Sequence, residues 1–194
     1  MRRFCFALLT TLILSSLAYA QYFPKDSLDS GGNEFKSQWY SRQLTALEEP
    51  SLFEMKKSLP SESYRFLWLR TFHHPVAIRL DPQPDGTSVL TTKVANGAGG
   101  YSPGVLIVNT SRTLSKGQTV AFLSQVDKLR FWSARNPVKD QGGTDGSQWI
   151  LEGVKAGRYH VVDRWMPKAG VARELGWMLA FQLASLNVPA DERY

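Results

Sequence analysis

Cysteine is nearly absent from this chain of 194 residues: Cys5 stands alone. It falls inside the first twenty residues, which read as a cleaved leader, so the mature chain would contain none. That excludes disulfides, thiol catalysis, a lipid-modified terminal cysteine and cysteine-held metals. Long apolar runs are also scarce. The one sustained stretch, Phe4 to Leu17, is shorter than the ~20 residues that span a bilayer. There are three histidines. His73 and His74 are neighbours on an expected strand, where adjacent side chains point to opposite faces, so they do not chelate one ion. The Asp145-Gly146 loop lacks the alternating oxygen ligands and closing acid of a calcium loop. No metal and no cofactor are therefore expected. The Gly97 to Gly104 loop carries no Gly-Lys-Ser/Thr and is no phosphate cradle. No Gly-x-Ser-x-Gly nucleophile turn is recognised and no Ser-x-x-Lys pattern occurs, so serine-hydrolase chemistry is set aside. Basic residues form no stripe, which argues against nucleic acid.

What is present begins with an export signature. Arg2 and Arg3 precede the apolar run, and Ala18-Tyr19-Ala20 supplies the small-x-small site, with cleavage predicted after Ala20. The protein is expected to be soluble and periplasmic or secreted. Its mature part carries 21 Lys and Arg against 17 Asp and Glu, an excess that permits contact with anionic envelope polymers without demanding it.

The mature chain reads as a flexible leader over 21–33 followed by one α+β domain over 34–194. Asn33 caps a helix carrying Phe35 and Trp39 at helical spacing, and Pro50 stops it. Ser51 with Glu54 forms a capping-box pattern for a short helix over 52–57. The aromatic-rich segment from Tyr64 to Phe72 is a strand, interrupted at Pro75 by a bulge or edge and resumed to Leu80. Strands follow over 87–94 and 105–109, the latter after a flexible Asn96 to Gly100 loop. Ser115 caps a helix running to about Ala134, with Val120, Phe122, Leu123 and Val126 on one stripe. A hairpin over 149–165 and a buried helix over 171–186 complete the order ααβββαββα. That order predicts an antiparallel sheet of about five strands packed against helices.

The hairpin carries the strongest constellation. A three-residue turn, Lys155-Ala156-Gly157, with glycine in the left-handed position, sets Glu152 opposite His160 and Gln148 opposite Arg164. Glu152, His160 and Arg164 then share one sheet face, and Trp149, Leu151, Tyr159, Val161, Asp163 and Trp165 share the other. A two-residue turn shifts every assignment by one. The charged trio reads either as a binding site for an anionic or hydrogen-bonding ligand, or as cross-strand pairing alone. Six tryptophans, at 39, 68, 132, 149, 165 and 177, offer either core or a carbohydrate-stacking surface.

The stretch Asp145-Gly146-Ser147-Gln148-Trp149-Ile150-Leu151-Glu152-Gly153-Val154, followed by Tyr159-His160-Val161-Val162-Asp163-Arg164-Trp165, resembles a signature of small exported bacterial proteins of unknown function. Tyr64 to His74 and Gly97 to Tyr101 are similar to the same group. The resemblance implies a bacterial envelope setting and transfers no catalytic role. Three functions stay open. The leading one is a non-enzymatic binding protein for an envelope protein or cell-wall component, engaged through Glu152, His160 and Arg164. The second is an envelope glycan hydrolase or lyase using Glu152 or Asp163 with His160. The third is a structural envelope protein. Glycoside hydrolysis needs two facing carboxyl groups about 5–10 Å apart, and the three-residue turn would put Glu152 and Asp163 on opposite faces.

Overall fold

The computed structural model describes residues 21–28, 33–58, 62–137 and 143–194. The export signal, its cleavage site at Ala20, Gly31-Gly32 and part of the loop before Gly143 lie outside the described residues. Six strands form one antiparallel sheet rather than about five: β1 Glu62–Arg70, β2 Val76–Pro82, β3 Ser88–Ala95, β4 Leu106–Leu114, β5 Ser147–Lys155 and β6 Arg158–Trp165. Their spatial order is β4-β3-β2-β1-β5-β6. The extra strand comes from Pro75, which marks a reversal and not a bulge. Residues 71–75 turn the chain, so β2 runs back along β1, with Phe66 opposite Ile78. The Pro75 carbonyl still accepts from Ala95 N at 3.2 Å, while its ring nitrogen has no proton to offer.

Helices cover both faces of the sheet. On one side lie α1 (Asn33–Ala46) and the short α2 (Leu52–Met55); on the other lie α3 (Lys116–Lys128) and α4 (Val171–Trp177), which continues into a π-helical stretch over Met178–Leu183. Two of the predicted caps form: Ser51 accepts from Glu54 N, and Ser115 and Gln118 make a reciprocal box; Asn33 instead lies within α1, its Oδ1 accepting from Leu28 N at 3.0 Å. The helix after Ser115 ends at Lys128, short of Ala134, because Arg130 turns left-handed at φ 52°. Val120 leaves its predicted stripe and faces solvent. Thr119 is buried instead, donating to the Ser88 hydroxyl at 2.9 Å.

The α3/α4 face is apolar. Phe66, Trp68, Ile78, Trp149, Leu151 and Val162 pack there against Phe122, Val126, Leu175 and Leu179. Gly176 lets α4 approach closely, since a Cβ at this position would meet the Trp149 and Phe66 rings at 2.8 and 2.9 Å. The α1 face mixes Leu67, Leu69, Ala77, Ile150 and Val161 with buried charges. β1 and β5 are buried on both faces, which is why their sequences show no clean alternation. The segment predicted as a flexible leader is packed over its described part. Tyr22, Phe23 and Leu28 join the α1-face core, and the Tyr22 hydroxyl donates to the Glu49 carbonyl at 2.8 Å.

Candidate functional site

The β5–β6 turn decides where the predicted site residues go. It contains two residues, Ala156 and Gly157, at φ 48° and 75°, with Lys155 paired to Arg158. Two consecutive positive φ values match the hairpin turn that follows strand twist best. The three-residue register is therefore corrected by one position: Glu152 faces Val161, and His160 faces Gly153. Glu152 lies on the α1 face, whereas His160 and Arg164 lie on the α3/α4 face, so the trio does not assemble. Glu152 and Asp163 now share a face, opposite to the expected separation.

Each of these residues is held by its own partners. Glu152 is fully buried; its carboxylate accepts from Arg65 at 2.6 and 2.8 Å and from the Tyr159 hydroxyl at 2.9 Å. Burial pushes the Glu152 carboxyl above its ordinary range, against the pull of Arg65. Asp163 accepts from Lys36 Nζ at 2.8 Å and from the Tyr40 hydroxyl at 3.2 Å. His160 packs edge-on against Phe131 at 5.1 Å, and its Nε2 is buried without a partner. Burial lowers its pKa, with Arg158 and Arg164 adding to the effect. Arg164 donates to Asn136 Oδ1 at 2.8 Å and to the Arg135 carbonyl at 2.6 Å.

Glu152 belongs to a larger ionic layer between the sheet and the α1–α2 connection. Glu49 accepts from Arg65 at 3.3 Å, Arg79 at 3.1 Å and Lys93 at 3.1 Å. Arg79 also pairs with Asp81, which takes a 2.6 Å hydrogen bond from Ser63. Three cations thus face three carboxylates. Buried charges survive only when paired and hydrogen-bonded, and this layer meets that condition.

The open site lies elsewhere on the α1 face. A cleft of ≈ 680 Å³ opens between α1, the loop before β4, and the end of β6, a volume suited to a small ligand. Phe35, Trp39 and Arg42 line it from α1, Tyr101 from the loop, Trp165 from β6, and Gln148 from β5. The loop, expected to be flexible, is clamped to α1. Trp39 Nε1 donates to the Gly99 carbonyl at 2.7 Å, Gln43 Nε2 to the same oxygen at 3.1 Å, and Arg42 Nη2 to the Tyr101 carbonyl at 2.9 Å. Gly100 N donates to the Thr71 carbonyl at 3.1 Å, fixing the other side. Around the mouth, Phe35, Phe72 and Tyr101 are among the most exposed large apolar side chains. Phe72 stacks on Tyr101 at 6.1 Å between centroids.

The tryptophans divide accordingly. Trp68 and Trp149 are core, Trp132 and Trp177 pack against its margin, and Trp39 and Trp165 line the cleft. Sequence reasoning did not select the cleft, because its residues come from five separate segments. It also missed that Gly100-Tyr101-Ser102-Pro103-Gly104 has the spacing Gly-x-Ser-x-Gly. That pattern marks a nucleophile on a strand-to-helix turn. Here it lies between β3 and β4, and no histidine or carboxylate is bonded to the Ser102 hydroxyl among the described residues. His73 instead contacts Glu192 at 3.2 Å, and His74 contacts the Gly97 carbonyl at 2.9 Å. No cluster of metal-binding side chains occurs among the described residues, and no helix there is long and apolar enough to cross a membrane. No protein-family model matches the chain, and no curated protein matches it.

Proposed function

We propose that this protein is an exported, non-enzymatic binding protein of the bacterial envelope. Its ligand is a cell-wall component held in the cleft between α1, the Gly99–Tyr101 loop and Trp165. The lining of that cleft carries the proposal. Aromatic side chains at 35, 39, 101 and 165 surround amides and hydroxyls of Gln38, Gln148, Thr71 and Thr144. Aromatic faces with convergent polar groups are the chemistry by which proteins hold sugar rings and small amphipathic ligands. Export rests on the basic start, apolar run and Ala18-Tyr19-Ala20 site. The rival glycan hydrolase loses support, because Glu152 and Asp163 are sealed in ion pairs and neither lines the cleft.

The test is a pull-down on insoluble envelope glycan with the wild type beside the Trp39→Ala, Trp165→Ala double variant, folding being checked by circular dichroism. Retention of the wild type and at least tenfold weaker retention of the folded variant supports the reading. Equal retention of both would move the site away from the cleft. A wild type that ignores glycan but captures a stoichiometric envelope protein would replace the ligand with a protein partner.

A further inference from the structure

We infer that the ligand of this cleft is an acidic saccharide, its carboxylate taken by Arg42 and a ring hydroxyl or N-acetyl N–H taken by Gln148. The inference rests on the binding reading above and adds the chemical class. Charge comes first. Among the described residues, the cleft is lined by two cations, Lys36 and Arg42, and by no aspartate, glutamate or histidine. Lys36 is matched by Asp163 at 2.8 Å. Arg42 is exposed and has no carboxylate partner among the described residues; it donates Nη2 to the Tyr101 carbonyl. A guanidinium presents its donors in a planar fork that fits a carboxylate. Fastened at one corner to the loop, Arg42 is held at the cleft.

Gln148 is the second observation. It is 2% exposed and forms part of the cleft lining, yet its Oε1 is buried and accepts no hydrogen bond. An orphaned acceptor in a protein interior is unfavourable unless something supplies a donor. Its neighbours on the same face, Ile150 and Leu69, carry no side-chain donor, and the indole N–H of Trp165, its partner on β6, makes no hydrogen bond to it. A ligand donor is what this amide lacks. The ligand must therefore bring an acid to Arg42, an O–H or N–H to Gln148, and apolar ring faces to Trp39, Tyr101 and Trp165. A free inorganic anion would leave the aromatics unused, and a neutral sugar would leave Arg42 unused. An acidic sugar ring satisfies all three.

The probes are N-acetylglucosaminyl-N-acetylmuramic acid and N,N′-diacetylchitobiose (chitobiose), a matched pair in which only the first carries a lactyl carboxylate. Binding is followed by tryptophan fluorescence and calorimetry, with tri-glutamate as an acid without a sugar ring. The acidic disaccharide is expected to bind at least tenfold more tightly than chitobiose. Arg42→Gln should erase that difference, weakening the acidic disaccharide at least tenfold more than it weakens chitobiose. Gln148→Met should weaken both sugars while raising the melting temperature, whereas a purely structural amide would lower it on removal. Equal binding of the two disaccharides overturns the acidic assignment and leaves the binding reading standing. Tri-glutamate binding as tightly as the acidic sugar overturns the saccharide. If neither disaccharide binds, this inference fails, and retention on envelope glycan decides separately whether the cleft reading survives.

Discussion

Glu49→Gln tests the physics of the ionic layer directly. The Glu49 carboxylate is the common partner of three cations: Arg65 and Arg79 on one oxygen, Lys93 on the other, all within 3.3 Å. The change keeps the shape and removes the charge, leaving three cations against Glu152 and Asp81. Removing one partner from a buried ion pair costs about 3–5 kcal/mol, mostly from the charge left uncompensated. For a domain of this size each kcal/mol lowers the melting temperature by about 2–4 °C, so a fall of about 6–20 °C is expected. Urea unfolding should show a lower midpoint at unchanged slope. Adding Lys93→Met to Glu49→Gln rebalances the layer at two against two and should recover part of the loss. A loss below about 1 kcal/mol, or a double variant less stable than the single, would refute the reasoning.

Two further outcomes follow from packing and titration. Gly176→Ala forces a Cβ against the Trp149 and Phe66 rings. Overpacking of about 1–3 kcal/mol outweighs the helix-propensity gain of about 1 kcal/mol because both contacts are to rigid buried rings, so denaturant unfolding should show net destabilisation of up to about 2 kcal/mol. His160 has a folded pKa depressed by burial, with an ordinary value near 6.5. The unfolded chain therefore binds the proton more readily, and stability should fall as pH drops below about 6.5, levelling off once pH passes the folded pKa. His160→Phe should flatten that segment of the stability profile. An unchanged slope would place His160 in contact with water.

The sequence revealed most where local chemistry decides structure. The caps at Ser51 and Ser115 act within three residues, and both form; Gln118 completes a reciprocal box at Ser115, whereas the Glu54 carboxylate pairs with Lys57 instead of closing the box read at Ser51. The antiparallel α+β class follows from element order. Strand count failed at Pro75 because a proline that reverses a chain and one that bulges it leave the same local signature. The hairpin register failed on one residue of turn length: Ala156 adopts positive φ beside Gly157, and a non-glycine residue gives little warning of that. Since strand side chains alternate, this single residue dissolved the expected trio and brought Glu152 and Asp163 to the same face. The ionic layer and the cleft were invisible for a different reason. Glu49, Arg65, Arg79, Lys93 and Glu152 come from five segments, and no period or spacing joins them.

The mixed chemistry of the α1 face bears on the cleft itself. Apolar contact is non-directional, so a helix resting on grease alone could slide along a sheet at little expense. Fixed charges forbid that. Displaced by one helical turn of 5.4 Å, the connection carrying Glu49 would strand its three cations, and Lys36 would leave Asp163. The ion pairs therefore work as indexing pins, and what they index is the spacing between the Trp39–Arg42 stripe of α1 and the tryptophan at the end of β6. The width of the opening that a ligand would meet is thus set by charges already paired within the protein.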